Sequence, residues 1–332
     1  MRKIIMDVDT GTDDAIAIMA AVMAPQIEVA ALCTVHGNTS VSNTTKNTLR
    51  AAFAAGREDI PVYPGAAGPM VKDLSEVRRI PVPEPVLGGT AEVDGVTVSM
   101  NPDLLPLPDP SCAPQATPAP LYYLEFLRTT TEKVTIVATG ALTNLGLALS
   151  LDPMLAEKIE ELVIMGGGVK KSNITASAEA NFYKDPEAAA IVLQCGAPIT
   201  LCTLDATHSC ALTESHERRL RAIGNTAAVF TANDVRARRE SYARFQPLER
   251  AGTAPIHDAL CIAYLIDPTV LTCVEDAACM VECSEGIGDG RLQVDTRSFH
   301  AAPNVRLVTQ ADPDKMCDIL AEVFSGRGGV TG

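Results

Sequence analysis

The first fifteen residues constrain this chain more than any other stretch. Met1-Arg2-Lys3-Ile4-Ile5-Met6 runs into Asp7-Val8-Asp9-Thr10-Gly11-Thr12-Asp13-Asp14, so an apolar run ends in four carboxylates with one glycine among them. Ile4 to Met6 read as a short buried strand and Ala15 to Met23 as a helix, which puts the acids at a strand's carboxyl end and in a helix's first turn. In open α/β sheets that crevice is where ligands bind. Capping is the plainest explanation, with Thr12 or Asp13 as the cap and roughly 0.3–1 kcal/mol per acid from the helix dipole. That gain is too small, because carboxylates about 4 Å apart repel by about 4 kcal/mol per pair at an effective dielectric near 20. A divalent cation reverses the sign. Oxygen donors without nearby His or Cys favour Ca²⁺ or Mg²⁺ over zinc. A basic side chain standing among these oxygens in the ion's place would remove the argument.

Two motif readings compete. An EF-hand loop needs a glutamate at its twelfth position, where counting from Asp7 gives Ile18, so that reading fails. A phosphatase-type Asp-x-Asp loop fits Asp7-Val8-Asp9 better and implies Mg²⁺ and a nucleophilic Asp7, although Gly11 and a second acidic pair follow here. Size and charge narrow the class. With 332 residues, 47% of them hydrophobic, the chain can bury a large core, and the alternation of strand and helix patterns implies an α/β protein. No apolar run is long enough to span a membrane, and the first strand starts too early for a signal peptide, so a cytoplasmic address is expected. The ten cysteines are scattered, mostly within apolar runs, and read as reduced thiols. A formal net charge of −14 argues against nucleic acid as a partner and for a small neutral or metal-borne ligand.

The pattern Asp-x-Asp-x-Gly-x-Asp-Asp directly after a first strand resembles the signature of the inosine-uridine-preferring nucleoside hydrolases. These are calcium-dependent enzymes that hydrolyse the N-glycosidic bond of ribonucleosides. The rest of the chain is similar to them in order. His36-Gly37-Asn38 follows a second strand, Ile27 to Val35, and the resemblance makes Asn38 a substrate residue. Thr139-Gly140-Ala141-Leu142-Thr143-Asn144 follows a strand at Val134 to Ala138, and the resemblance gives the Thr139 carbonyl to the metal. Beyond Gly166-Gly167-Gly168, which lacks dinucleotide-loop spacing, comes Asn173-Ile-Thr-Ala-Ser-Ala-Glu179-Ala-Asn181. Amides beside a carboxylate suit hydroxyls that both donate and accept. The resemblance makes Asn173, Glu179 and Asn181 ribose ligands, with Met165 beside them. His257-Asp258 opens a later helix and matches a His-Asp motif, with Tyr242 shortly before it.

The resemblance implies an open, mostly parallel Rossmann-like sheet flanked by helices, with the active site at the carboxyl ends of the strands. It implies Ca²⁺ held by Asp9, Asp14, Asp258 and the Thr139 carbonyl, Asp9 as base toward water, and His257 as general acid toward the departing base. Asp13, Asn38, Met165, Asn173, Glu179, Asn181, Tyr242 and Asp258 would bind the nucleoside, and the chain would form a homodimer or homotetramer. Two departures stand out: Leu87-Gly88-Gly89 lies where the family often has His-Gly, and Ala180 stands for a frequent Phe. With no tryptophan to stack a purine, the chain is closer to the family's non-specific class. A non-catalytic nucleoside-binding protein is the remaining alternative. With no repeats and no linker, residues 1–332 are expected to form a single domain, with a proline-rich insertion or loop at about 66–118.

Overall fold

In the computed structural model the described residues are 1–78, 90–93, 96–99, 101–297, 299 and 301–326, with backbone alone at 90–93 and 96–99. β1 (Arg2–Val8) is buried on both faces from Ile4 onward, as its run of Ile, Met and Val requires. It pairs in parallel with β2 (Ile27–Thr34) on one side and with β6 (Val134–Ala138) on the other. β3 (Val62–Pro64) extends the β2 side. β7 (Ile159–Met165), β8 (Ile199–Cys202) and β12 (Val305–Ala311) extend the other in parallel, and β9 (Leu271–Ala277) closes that edge antiparallel. The order is β3-β2-β1-β6-β7-β8-β12-β9, the mostly parallel sheet expected from the sequence. Because the chain leaves β1 first toward β2 and β3 and later returns to β6, the strand order reverses between β1 and β6. The carboxyl-end crevice at such a switch point is the usual ligand position.

Alternation along β1 feeds two cores. Ile4, Met6 and Val8 pack with α1 (Thr12–Met23), α10 (Ala259–Ile266) and α11 (Pro313–Phe324), while Ile5 faces α3 (Ala119–Thr129), α4 (Thr143–Leu151) and α6 (Pro186–Leu193). The remaining helices are α2 (Val41–Ala54), α5 (Ala180–Lys184), α7 (Leu204–Ser209), α8 (Glu214–Arg221) and α9 (Thr226–Phe245). The charged stretch from Thr213 is two helices rather than one region. Gly224 takes φ +84°, and Asn225 restarts the chain by accepting from the Ala228 N–H at 3.0 Å. No described helix is long and apolar enough to cross a membrane.

Among its described residues the proline-rich segment has regular structure, with β4 (Thr90–Val93) paired antiparallel to β5 (Val96–Ser99). Asn47 of α2 then accepts from Leu105 N–H at 2.9 Å and donates to Asp103 O at 3.3 Å, fastening the chain just past Asn101. Lys72 pairs with Asp289 at 3.1 Å and Arg78 with Asp289 and Glu187, tying residues 72–78 to α6 and to the loop between β10 (Cys279–Val281) and β11 (Leu292–Val294). These partners lie far along the chain, so local sequence carries no sign of them. Leu87-Gly88-Gly89 lies outside the described residues.

At the amino ends of the strands, Glu161 gathers the sheet together. Arg2 pairs with it across β6, Thr200 Oγ1 donates to it at 2.6 Å and Tyr264 Oη at 2.8 Å. Glu161→Ala should lower the free energy of urea unfolding by about 1–3 kcal/mol, because it orphans several donors at once. An unchanged urea midpoint would show that the network contributes nothing.

Candidate active site

The four acids separate as soon as α1 forms. Its N-cap is Gly11 rather than Thr12 or Asp13, so neither of those side chains serves the helix end. Asp14 closes the turn by accepting from Gly11 N–H at 3.0 Å. Asp7 points away from the crevice: it accepts from Asn144 Nδ2 at 3.1 Å in the core, and burial pushes its carboxyl up to about 7. It does not line the cleft, which removes it as a nucleophile. Asp9, Asp13, Asp14 and Asp258 remain, all nearly fully buried.

Asp9 follows β1 and is fenced by glycines. A Cβ on Gly37 would sit 1.8 Å from Asp9 Oδ2, and one on Gly140 would sit 3.0 Å from the Asp9 Cβ. Asn38 serves both oxygens, with its N–H 2.8 Å from Oδ2 and its Nδ2 3.2 Å from Oδ1. Thr139, at the end of β6, donates through Oγ1 to Asp14 Oδ1 at 2.7 Å. Its carbonyl accepts from Asn181 Nδ2 at 2.7 Å, and the same amide reaches Met165 O at 3.1 Å. One side chain of α5 thereby ties the ends of β6 and β7 and keeps its Oδ1 free to accept. Glu179 caps α5 and also accepts from Gly167 N–H at 2.8 Å, where Gly167 has φ +62°. Burial pushes its carboxyl up to about 7. Asn173 Oδ1 takes the Ala180 N–H at 2.9 Å, leaving the amide nitrogen as a donor.

Two bases enter the cluster that the sequence reading did not foresee. Lys184, at the end of α5, places Nζ 3.1 Å from Asp9 Oδ2. Arg238, in the middle of α9, places Nη2 2.7 Å from Asp13 Oδ1. Each takes one acid, and Asp14 and Asp258 are left facing each other. Burial, then the neighbouring carboxylates, push both well above the ordinary carboxylate range, with Thr139 and Gly11 opposing the rise at Asp14 and Arg238 at Asp258. Asp258 stands at the N-cap of α10 yet makes no capping bond. One carboxylate oxygen each from Asp13, Asp14 and Asp258 falls within 4.8 Å of the others. This donor set fits a hard divalent cation: oxygen only, buried, and carrying negative charge that the two bases leave uncancelled. Asp9 stands beside that group rather than in it.

Across the cleft, His257 Nε2 and Tyr242 Oη are 2.8 Å apart, and His257 Nδ1 is 2.8 Å from Thr207 Oγ1. Thr207 Oγ1 also lies 3.2 Å from Leu204 O, so its single proton can serve that carbonyl or Nδ1, and the neutral imidazole can carry its own proton on either nitrogen. Burial first, then Arg238 and His208, hold the imidazole well below the usual histidine range, so it is neutral at pH 7. The space between these groups, its open mouth included, is about 560 Å³. Its lining contains Asp9, Asp13, Asn38, Thr139, Met165, Asn173, Glu179, Asn181, Tyr242, His257 and Asp258, all singled out from the sequence. It also contains Asn101, Ala180, Arg238 and Gln246, of which only Ala180 carried a signal beforehand. Gln246 donates Nε2 to Ser172 O at 3.3 Å and keeps Oε1 as an acceptor.

A buried carboxylate cluster at the switch point of a mostly parallel sheet, opposed by a hydrogen-bonded Tyr–His pair, makes this an α/β protein whose site suits a divalent ion and a hydroxyl-bearing ligand. Residues 4–318 match the family model of the inosine-uridine preferring nucleoside hydrolases, and the chain belongs to that family. It is 37% identical over 322 residues to the pyrimidine-specific ribonucleoside hydrolase RihA of Enterobacter sp. (strain 638), with 96% of each chain covered. The structure is similar to the purine-preferring ribonucleoside hydrolase from Gardnerella vaginalis, with TM-score 0.83, 26% identity and coverage of 98% and 99% of the two chains. A plant nucleoside hydrolase superposes with TM-score 0.79 at 28% identity, covering 98% of this chain and 99% of that one.

Stability should respond to pH and metal together. Asp14 and Asp258 have raised values in the fold, so without an ion the folded chain holds protons that the unfolded chain releases above about pH 4. The stability tied to those protons is present at low pH and is lost as pH rises through the folded values. A bound divalent ion replaces the protons and removes the loss. The difference in melting temperature between Ca²⁺-loaded and chelator-treated protein should therefore widen from pH 5 to pH 8, and a pH-independent difference would contradict the assignment.

Proposed function

We propose that this chain hydrolyses the N-glycosidic bond of ribonucleosides to ribose and free base, with pyrimidine nucleosides as preferred substrates and Ca²⁺ as the metal. The observation that carries the reading is the arrangement of the cleft: carboxylates on one wall, ribose-suited amides on a second, and a Tyr–His pair on a third. Asp9, Asp14, Asp258 and the Thr139 carbonyl, which retains a free lone pair, would hold the ion. When bound, Ca²⁺ supplies a positive charge that orients a water and the sugar hydroxyls and lowers the water's pKa.

The protein's own groups account for the rest. Asp9 accepts the proton of the attacking water at a carboxylate oxygen that Asn38 and Lys184 hold in place. Asp13, Asn173 Nδ2 and Asn181 Oδ1 face the sugar, with Met165 and Asn38 beside them. Positive charge that develops on the ring as the bond breaks is favoured by Asp9, Asp13, Glu179 and Asp258. The departing base meets the Tyr242–His257 pair: in the tautomer whose Nε2–H donates to Tyr242 Oη, the phenol proton is free to pass to the base, and the same Nε2–H stabilises the phenolate that remains.

A neutral imidazole behind a tyrosine is a weak acid. Such a pair suits bases that leave with charge spread into flanking carbonyls, as in uracil, and this agrees with the pyrimidine specificity for which the RihA relatives are named. The Asp-nucleophile phosphatase reading finds no support, since its nucleophile would be Asp7, bonded to Asn144 in the core.

Ribose release from uridine, cytidine, inosine and adenosine, with and without chelator, tests the reading, and no release from any of them would sink it. Asp9→Asn should cut kcat on uridine by at least about 10²-fold with little change in melting temperature. Gly37→Ala should lower kcat comparably, because displacing the base by about 1 Å costs on that order. Near wild-type kcat in both variants would remove Asp9 as the base. Tyr242→Phe and His257→Ala should each lose about 10²- to 10⁴-fold on uridine but far less on a nitrophenyl riboside, whose leaving group needs no proton. Equal losses on the two substrates would contradict the proton role.

A further inference from the structure

Arg238 sits where a cleft wall is least expected to carry a permanent charge. It is only 3% exposed, it lies one turn after Asp234 and one turn before Tyr242 on α9, and its side chain lines the cleft. The guanidinium is held at three points: Nε donates to Asp234 Oδ2 at 2.9 Å, and Nη2 donates to Thr12 Oγ1 at 2.9 Å and to Asp13 Oδ1 at 2.7 Å. A buried ion pair of this kind rarely adds net stability over apolar packing, because the charges must first be stripped of water. Its presence in the site wall therefore asks for a role beyond holding two helices together.

The three converging carboxylates differ in one respect. Asp14 is bound by Gly11 N–H, Asn38 Nδ2 and Thr139 Oγ1, all neutral donors. Among the described residues Asp258 has no ion-pair partner, and of the three only Asp13 carries a cation. A guanidinium on Oδ1 cancels most of the charge that a divalent ion would seek at Asp13. It leaves the lone pairs of Oδ2 able to accept, and an ionised carboxylate can only accept, so its complement is a donor such as a sugar hydroxyl.

We propose that Arg238 is a positioning residue that withholds Asp13 from the metal and reserves its Oδ2 for a ribose hydroxyl, with Asp234 orienting the guanidinium. The proposal rests on the nucleoside hydrolase reading given above. It sorts four crowded acids into two tasks: Asp9, Asp14 and Asp258 serve the ion, and Asp13 serves the sugar. Thr12 is part of the device, since its hydroxyl takes the second contact of Nη2 and fixes the first turn of α1 against α9.

The test compares Arg238→Gln, Arg238→Lys and Asp234→Asn with wild type in the full chain, using uridine, 2′-deoxyuridine and 3′-deoxyuridine as substrates and calorimetric Ca²⁺ titration of chelator-treated protein. Arg238→Gln should raise KM for uridine by about 10- to 100-fold, the equivalent of one charge-assisted hydrogen bond, and lower kcat much less. That penalty should shrink to within about threefold on whichever deoxynucleoside lacks the hydroxyl. Ca²⁺ should bind the Gln variant at least as tightly as wild type, because Asp13 is released to it. Arg238→Lys should restore the wild-type Ca²⁺ affinity but only part of KM, and Asp234→Asn should show the Gln pattern in smaller size. Equal KM penalties on all three substrates, or Ca²⁺ affinity lost in step with activity, would overturn the proposal by reducing Arg238 to a structural tie. Should Arg238→Gln not fold, Arg238→Lys and Asp234→Asn carry the same comparison. Should the wild type release no ribose, the hydrolase reading alone fails, and calorimetric binding of the same three nucleosides still decides the role of Arg238.

Discussion

Two buried carboxylates face each other at the carboxyl end of a parallel sheet, and the surrounding site follows from how that repulsion is managed. Asp14 is tied to the first turn of α1 and to Thr139, Asp258 stands at the start of α10, and neither has a base of its own. Folding brings them together because α1 and α10 pack on the same face of β1 through Ile16, Ile18, Leu260 and their neighbours. The apolar core thus forces the acids into proximity. Hydrogen-bond donors and a cation are what make that proximity tolerable.

The neighbouring acids are treated differently. Asp9 and Asp13 each receive a base, Lys184 from α5 and Arg238 from α9. A site with all four carboxylates bare would repel itself strongly, and one with four salt bridges would have no charge left for an ion. Two of each leaves a cavity that is electronegative without being unstable. The glycines belong to the same design, since Gly37 and Gly140 let backbone approach Asp9 more closely than any Cβ permits.

The opposite wall works by desolvation. Burial, then the charges of Arg238 and His208, keep the His257 ring neutral, and its two nitrogens are held by Thr207 and Tyr242. A pair of this kind holds a proton in a fixed line without placing a second cation beside the sugar. Charge on the sugar and proton supply to the base are thereby separated across the cleft.

Much of this was legible in the chain itself. The acidic turn after β1, the Thr139 turn, the Asn173–Asn181 loop and His257-Asp258 each follow a strand or open a helix, and local periodicity is enough to place such residues at one sheet edge. The strand order and the anchoring of Asp103 and Leu105 by Asn47 were not legible, because they depend on partners dozens of residues away. Lys184 and Arg238 show the limit most clearly. In sequence, Lys184 is the last residue of a short helix and Arg238 one base in a stretch that reads as solvated surface. Only the packing of α5 and α9 against the crevice turns their side chains inward, where loss of water makes pairing with Asp9 and Asp13 obligatory. Sequence by itself determined which chemical groups are available, and tertiary structure decided which acid keeps its charge free, because that depends on distance and desolvation that no local pattern encodes.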